Sequence, residues 1–255
     1  MFSIQYTPSR IVCLVPSLTE LLYDLGLENE VVGITKFCIH PTIAKQTKTI
    51  VGGTKSIKIN TLKALNPDII LCNKEENTKE IVELCEKIAP THVSDLFTLD
   101  DVKELISVYG TLFNKEKSAL TILQKLESEY HKFQSYSIDK PILKVAYFIW
   151  KDPWMVAANN TFINHMLELN NYKNVFKNVM RYPEVTIENI QKDQNPEYIF
   201  LSSEPYPFQE KHRIELKKQV PNAHIILVDG ELFSWYGSRL LKSFDYFKKL
   251  REQLK

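Results

Sequence analysis

The stretch RIVCLVPSLTELLYDLG, at residues 10–26, decides the fold. It consists of a short apolar run, a Pro-Ser turn and a pattern typical of an amphipathic helix. The runs VVGIT and LKALNPDIILC follow at residues 31–35 and 62–72. The second half of the chain repeats this plan with KVAYFIW, FINHMLELNN and IENIQKDQNPEYIFLSS, at residues 144–150, 162–171 and 187–203. Because both halves join a helix, an Asn-Pro-acidic turn and a buried strand, we expect two α/β lobes of similar plan.

Six runs have the composition of strands that are buried on both faces. They are apolar, rich in β-branched residues and free of alternation, which is typical of parallel sheets covered by helices. The runs are IVCLV, VVGIT, DIILC, VAYFI, YIFLS and HIILV. Two lobes of this kind are expected to face each other across a cleft, and small ligands bind preferentially in such clefts.

One long helix is predicted in the middle of the chain. Residues 115–136 contain no Gly or Pro and place Leu120, Leu123, Leu126, Tyr130 and Phe133 on one helical stripe. At ~1.5 Å per residue, such a helix is ~30 Å long. The predicted fold is therefore two Rossmann-like α/β lobes with parallel sheets, joined by one long α-helix. The lobes are expected at residues 1–112 and 138–255, and the connecting helix at 113–137.

Composition excludes several classes of partner. The chain of 255 residues has 32 Lys and Arg against 31 Asp and Glu, so its net charge of +1 does not favour binding to nucleic acid. No apolar run approaches the ~18 residues that a membrane-spanning helix needs. The opening MFSIQYTPSR lacks the features of a secretory leader, which favours the cytoplasm unless a leader has been removed. Cys13, Cys72 and Cys85 have the character of small buried hydrophobes, although a disulfide between two cysteines is not excluded.

The carboxyl ends of the predicted strands are where a ligand is expected, because ligands of open parallel sheets bind there. These loops carry many aromatic residues, including every tryptophan of the chain, and aromatic rings offer flat apolar area with a polar edge. Polar residues on the same loops supply hydrogen bonds and charge. The predicted ligand-contacting residues are Ser17, Lys36, Phe37, Thr54, Lys74, Trp150, Trp154, Tyr182, Glu204, Tyr206, Glu231, Phe233, Trp235 and Tyr236.

The loop KFCIHP contains a second candidate site. Cys38 and His40 can present a thiolate and an imidazole to a soft metal, or one axial ligand to a haem or corrinoid metal. Two ligands fall short of the four of a closed zinc site. The alternatives are that Cys38 packs under the loop while His40 hydrogen-bonds locally, or that the two form a nucleophilic pair. No orienting group or oxyanion hole can be named for such an enzyme, so we expect no catalysis.

The order RIVxLxPSLTELLYxLG, VVGIT, HP, VGG and IxxLKALNPDIIL, with the long middle helix and a late VDG…SR segment, resembles a known family. It is similar to the helical-backbone (class III) substrate-binding proteins of ABC importers for cobalamin, haem and ferric siderophores, and closest to the cobalamin-binding type. The resemblance covers nearly the whole chain. It implies a rigid connecting helix, a shallow cleft for a bulky metal chelate, no required cofactor and no reaction. It also implies a monomer that serves an ABC permease, either periplasmic or lipid-anchored outside the cytoplasm.

Carried over residue by residue, the resemblance is uneven. Trp154 and Tyr182 keep the aromatic character of the cobalamin binders, whereas Thr54 and Asn73 stand where aromatic residues are expected. Glu231 keeps an acidic ligand-contact position, but Trp235 replaces a basic one. The two importer-docking glutamates correspond to Glu188 and Asn60, so only the second lobe keeps its acid. The leading expectation is a corrinoid-binding protein; the alternatives are a siderophore, haem or free-metal binder, or a cytosolic sensor, carrier or enzyme on the same scaffold.

Overall fold

All six apolar runs form strands, and the strands belong to two separate sheets. The computed structural model describes residues 4–254; the outer lobe limits expected at residues 1 and 255 fall outside this range. The chain forms two units. Unit 1 comprises the chain up to Leu96, Asp100–Glu127 and Tyr236–Leu241; unit 2 comprises Phe97–Leu99, Ser128–Trp235 and the chain from Lys242 onward.

Unit 1 is built on a five-stranded parallel sheet in the order β3-β2-β1-β4-β5. Its strands are β1 (Ile11–Cys13), β2 (Val31–Ile34), β3 (Thr49–Ile50), β4 (Ile69–Asn73) and β5 (Thr91–Ser94). The helices that begin in the first half of the chain are α1 (Pro16–Asp24), α2 (Thr42–Thr47), α3 (Ile59–Ala64), α4 (Lys79–Glu86), α5 (Leu99–Leu112) and α6 (Glu116–Ser137). Every residue of β1 and β4 is buried, as expected for strands covered on both faces.

Unit 2 contains a sheet in the order β10-β9-β6-β7, with β8 also paired to β6. Its strands are β6 (Leu143–Trp150), β7 (Met155–Ala157), β8 (Tyr172–Asn174), β9 (Tyr198–Ser202) and β10 (His224–Val228). Its helices are α7 (Phe162–Leu169), α8 (Ile187–Asn189), which continues as a π-helical turn (Ile190–Gln194), α9 (Glu210–Gln219), α10 (Gly230–Ser234) and α11 (Leu240–Gln253). The sheet is not wholly parallel, because the short strand β7 runs antiparallel to β6.

The long middle helix is confirmed as α6, which runs without interruption over 22 residues. Its buried stripe differs from the predicted one. Leu120 is 55% exposed, whereas Ala119 and Ile122 are buried together with Leu126 and Phe133. The spacing of three and four residues is kept, but it begins one position earlier. Residues 116–127 of α6 belong to unit 1 and residues 128–137 to unit 2.

The last part of the chain contributes to unit 1 through residues 236–241. Arg239 of this segment donates to the Glu20 carboxylate on α1 from Nε, at 2.6 Å to Oε2, and from Nη2, at 3.0 Å to Oε1. Both side chains are less than a tenth exposed. The turn before Arg239 requires Gly237, whose φ of +90° lies in the region that side chains disfavour. A buried, bidentate ion pair therefore joins the C-terminal segment to the first helix of the sheet.

None of the helices within residues 4–254 is both long enough and apolar enough to cross a bilayer.

Candidate functional site

The switch point of the unit 1 sheet lies at β1 and β4. β2 and β3 extend from one side of β1, and β4 and β5 from the other. In sheets of this kind the crevice at the carboxyl ends of the two central strands is the preferred ligand site. The residues that follow β1 and β4 therefore form the candidate site of unit 1.

Two buried asparagines fix the loop after β4. The Asn73 Oδ1 accepts hydrogen bonds from the backbone N–H groups of Glu75, at 2.8 Å, and Glu76, at 3.3 Å. The Asn73 backbone N–H donates to Asn77 Oδ1 at 2.9 Å, and the Asn77 amide donates to the Thr54 carbonyl at 3.0 Å. The Asn73 side chain therefore holds the loop together, at a position where the resemblance led us to expect an aromatic ligand contact.

A cluster of polar side chains lies at this edge, and we call Ser17, Thr54, Glu76 and Tyr236 the unit 1 polar cluster. Ser17, Thr54 and Tyr236 are less than a tenth exposed. Burial raises the pKa of the Glu76 carboxyl, although Lys55 and a hydrogen bond from the Thr54 hydroxyl oppose this change. Burial also raises the pKa of the Tyr236 hydroxyl, and the nearby Glu76 carboxylate raises it further, whereas Ser17 acts in the opposite direction. Ser17, Thr54 and Tyr236 were predicted as site residues, and they lie together with Glu76, which was not predicted.

Replacing Glu76 with glutamine is expected to stabilise the protein at pH 8 and to leave its stability unchanged at pH 4. A carboxyl whose pKa is raised in the folded state contributes stability at low pH that is lost as pH rises through that pKa. Because glutamine carries no charge at either pH, the variant does not undergo this loss of stability as pH rises. Thermal unfolding at the two pH values measures the effect. The control is Glu83→Gln, on the exposed face of α4, and an equal shift of both variants at pH 8 would contradict the assignment.

The other predicted site residues of unit 1 are exposed. Phe37 is 49% exposed, and the Lys36 Nζ lies 5.0 Å from the centre of its ring. Lys74 forms an ion pair with Asp95 at 2.6 Å, so its charge is already compensated within unit 1. Phe37 and Lys36 are thus available to a ligand, and Lys74 is less suited to hold an anionic group.

Cys38 and His40 do not form a metal site of the predicted kind. Cys38 is fully buried, and its Sγ lies 3.1 Å from Thr19 Oγ1 and 3.3 Å from Thr35 Oγ1. Burial raises the pKa of this thiol, which disfavours the thiolate that a metal or a nucleophilic reaction needs. His40 is half-buried. Within residues 4–254, no group of three or more His, Cys, Asp or Glu side chains is placed to hold a metal ion.

The carboxyl end of β6 carries an aromatic cluster that we call the Trp150 cluster: Trp150, Trp154, Tyr206, Phe208 and His212. Trp150 ends β6, is 40% exposed and meets the Tyr206 ring edge-on, with 5.6 Å between centres. Trp154 stacks in parallel on Phe208 at 6.1 Å, and Tyr206 lies 4.7 Å from the same ring. Phe208 and His212 were not among the predicted residues. In this cluster the Trp150 ring is exposed, and it packs on rings that are less exposed.

His212 fixes Tyr206 in this cluster. Burial lowers the pKa of His212, and the nearby Lys151 ammonium lowers it further, so the ring is neutral near pH 7. His212 Nδ1 accepts a hydrogen bond from the Gln209 backbone N–H at 2.9 Å, which places the ring proton on Nε2. That proton is then donated to the Tyr206 hydroxyl oxygen at 3.3 Å. Tyr206 is thus held from its hydroxyl end and supports Trp150 with its ring.

Two predicted carboxylates lie at the ends of β9 and β10. Glu204 Oε1 accepts a hydrogen bond from the Ser234 hydroxyl at 2.6 Å. Gly230 allows this close approach, since a Cβ there would lie 2.3 Å from Ser202 Oγ and 2.7 Å from Glu204 Cγ. Glu231, next to Gly230, is half-buried at the start of α10. Both acids remain partly accessible, with Glu204 oriented by its neighbours.

The loop GELFSWYGSR does not present three rings to a ligand, as the sequence suggested. Phe233 is fully buried and packs against Tyr147, at 5.1 Å between ring centres, and Phe247, at 4.7 Å, so its assignment as a ligand contact is wrong. Residues 230–234 are helical, which turns this ring toward the sheet. Trp235 is 8% exposed, and Tyr236 belongs to unit 1.

The remaining predicted residues lie apart from the Trp150 cluster along the chain. Tyr182 is half-buried, and the Arg181 guanidinium carbon lies 5.6 Å from its ring centre. Residues 181–185 run beside β7, to which they are joined by backbone hydrogen bonds. Glu188, the predicted docking residue, is exposed on α8 and pairs with Lys192 at 2.5 Å. Asn60, its expected counterpart, is exposed on α3.

Comparisons with known proteins agree with this architecture. An uncharacterized ABC transporter substrate-binding lipoprotein of Bacillus subtilis is 25% identical over 253 residues, covering 95% of this chain and 80% of the relative. A vitamin B12-binding protein of Vibrio campbellii is 24% identical over 259 residues, covering 96% of this chain and 91% of the relative. The solved structure of a periplasmic haem-binding protein from Pseudomonas aeruginosa gives a TM-score of 0.81 at 19% identity, covering 97% and 94% of the two chains.

The predicted fold of two α/β lobes and the resemblance to importer substrate-binding proteins are both confirmed. The family model described as periplasmic binding protein matches residues 11–225, which include both sheets apart from the last three residues of β10. This chain therefore belongs to the periplasmic binding protein family.

Proposed function

We propose that this protein binds a bulky metal chelate without converting it, and that the preferred ligand is a corrinoid such as cobalamin. The observation that carries the proposal is Trp150, a 40% exposed indole at the carboxyl end of a central strand, supported edge-on by Tyr206. An aromatic ring that core packing does not require, at the edge where sheets of this kind bind ligands, suits the face of a macrocycle.

The unit 1 polar cluster, taken by itself, carries groups that suit the side chains of a corrinoid. A corrinoid carries amide side chains around its ring, and these need hydrogen-bond donors and acceptors. Ser17, Thr54 and Tyr236 offer hydroxyl groups, and Glu76 offers a carboxyl whose pKa is raised by burial. Hydroxyl groups match amides better than they match free carboxylates. The vitamin B12-binding relative supports the same ligand class.

Haem or a ferric siderophore is the second candidate. It is favoured by the cations that lie against aromatic rings, Lys36 at Phe37 and Arg181 at Tyr182. Such pairs suit the carboxylates of haem or the negative charge of a ferric siderophore. Free-metal binding has no comparable support, because the described residues contain no group of three or more His, Cys, Asp or Glu side chains that could hold a metal ion.

A titration followed by absorbance and tryptophan fluorescence tests the proposal. The purified full chain is titrated separately with hydroxocobalamin, haemin and a ferric catecholate siderophore. Saturable quenching with a visible difference spectrum for hydroxocobalamin, and weaker binding of the other two, is the expected result. Preference for haemin or the siderophore selects the second candidate instead. Absence of a response to all three overturns the assignment to metal chelates.

We further propose that the protein delivers its ligand to an ABC permease and docks through Glu188. Its carboxylate is 69% exposed, and a surface ion pair such as that with Lys192 contributes little, so a partner can readily compete for it. The relative from Bacillus subtilis is named as an ABC transporter substrate-binding lipoprotein. The stimulation that the wild-type protein gives to a reconstituted ABC permease should be lost in Glu188→Lys and kept in Glu184→Lys.

A further inference from the structure

His212 joins the Trp150 cluster to the N-terminus of α9. Its side chain is 6% exposed, and its ring contacts two aromatic rings edge-on, Tyr206 at 5.3 Å and Phe208 at 5.6 Å between centres. It is the third residue of α9, whose N-cap is Gln209. Histidine is the side chain whose charge ordinarily changes between pH 5 and 8. A titratable ring therefore packs against the aromatic surface on which the proposed function depends.

Both nitrogens of the His212 ring are in use, and they have opposite roles. Nδ1 accepts a hydrogen bond from the Gln209 backbone N–H at 2.9 Å. The Gln209 side chain accepts in turn from the His212 backbone N–H, so the two residues form a capping box at the start of α9. Nε2 lies 3.3 Å from the Tyr206 hydroxyl oxygen and carries the ring proton. The arrangement thus accommodates one ring proton.

A second proton does not fit at Nδ1 in this arrangement. Once protonated, Nδ1 is a donor that faces another donor, the Gln209 N–H, at hydrogen-bond distance. The first turn of a helix also disfavours a positive charge, because the helix dipole is positive at that end. The charged ring must therefore leave the cap, and its hydrogen bond to Tyr206 is lost at the same time.

The charged groups around His212 lie after β6 and on α9. Burial lowers the pKa of His212 most, and the ammonium groups of Lys151 and Lys211 lower it further. The carboxylates of Glu215 and Asp152 oppose this change. Lys151 and Glu215 also form an ion pair with each other, which lowers the pKa of the Glu215 carboxyl. Protonation of the His212 ring therefore falls below pH 6.5, the ordinary pKa of histidine.

We propose that His212 is a positioning residue for the ligand surface, and that its protonation releases Tyr206 and thereby weakens ligand binding at Trp150. This inference rests on the proposed function, in which Trp150 contacts the chelate. The Tyr206 ring supports Trp150 edge-on and is held at its hydroxyl end by the neutral His212. Without that bond Tyr206 is held by packing alone. A protein that is in its binding form for only part of the time binds more weakly by that fraction.

The first measurement needs no ligand. NMR signals of the histidine rings and the tryptophan indoles of the full chain are followed from pH 7.5 to pH 4. The signals are assigned by their loss in His212→Gln and Trp150→Phe. At pH 7.5 His212 should carry its proton on Nε2, and the Trp150 signal should shift with the midpoint of the His212 titration. A His212 proton on Nδ1, or a Trp150 signal that does not follow the titration, overturns the proposal.

The second measurement is the affinity for hydroxocobalamin over the same pH range. Kd of the wild type should rise by up to about tenfold for each pH unit below the His212 midpoint, because binding and protonation are linked. His212→Gln should lose most of this rise, since glutamine can accept the Gln209 N–H but does not titrate. His224→Gln is the matched control and should keep the rise. His224 also stacks on a tyrosine, Tyr198 at 5.2 Å, but at the opposite end of the sheet, where β10 begins.

The two measurements distinguish failure of this inference from failure of the proposed function. If the wild type and His212→Gln show the same pH dependence of Kd, the role of His212 is overturned and chelate binding stands. A rise in Kd that is lost equally in His224→Gln also overturns it. Absence of binding at every pH overturns the proposed function and the effect on ligand affinity with it. The NMR titration then still decides whether His212 controls Trp150.

Discussion

Replacing Arg239 with methionine is expected to lower the free energy of unfolding by about 3–5 kcal/mol. The substitution leaves the Glu20 carboxylate in a site that is less than a tenth exposed, without the two hydrogen bonds from Arg239 Nε and Nη2. A buried charge that loses its partner retains the full cost of leaving water. Urea denaturation followed by circular dichroism measures the change.

A double variant separates the cost of an orphaned charge from the value of the pair itself. In Glu20→Leu/Arg239→Met both charges are gone, so the loss should be clearly smaller than in Arg239→Met alone. Arg213→Met is the matched control, because Arg213 forms a similar two-bond pair with Glu210 but on the surface of α9. Equal losses in Arg239→Met and Arg213→Met would show that the Glu20 pair is not effectively buried.

This ion pair also shows what the sequence does not reveal. Glu20 and Arg239 are separated by 219 positions, so no local pattern in the sequence pairs them. The six main strands were predictable from their continuous apolar, β-branched runs, and the long helix from its stripe of apolar residues three or four positions apart. The antiparallel strand β7 was missed because its three residues, Met155–Ala157, are too few to show a period.

The same contrast applies to the candidate site. Trp150 was predictable, because a ring at the end of an apolar strand run lies at the edge where ligands bind. Glu76 and His212 were not, since their roles depend on burial by residues distant in sequence. Phe233 was misassigned because Gly and Ser around it resemble a loop, whereas residues 230–234 form a short helix. Local sequence thus indicates on which element a side chain lies. Whether that side chain is exposed depends on packing against residues that are distant in sequence.

Replacing Trp150 with alanine is expected to weaken binding of the preferred chelate by about 2 kcal/mol or more, which corresponds to roughly a 30-fold rise in Kd. Truncating an aromatic residue at the centre of a binding surface removes both its contact area and its support of neighbouring rings. Here the loss also removes the edge-on contact with Tyr206. Stability should change little, because the indole is 40% exposed. Fluorescence or absorbance titration with hydroxocobalamin gives Kd, and thermal unfolding gives stability.

Two further variants decide whether the ring or merely the apolar area matters. Trp150→Phe keeps a smaller ring at the same place and should recover a substantial part of the lost affinity, since stacking depends on a flat face. Ile142→Ala is the matched control, because Ile142 is 68% exposed and lies just before the opposite end of β6. It should bind as the wild type does. If Trp150→Ala also binds as the wild type does, the Trp150 cluster is a structural cap of unit 2, and the carboxyl edge of its sheet is not where the chelate is held.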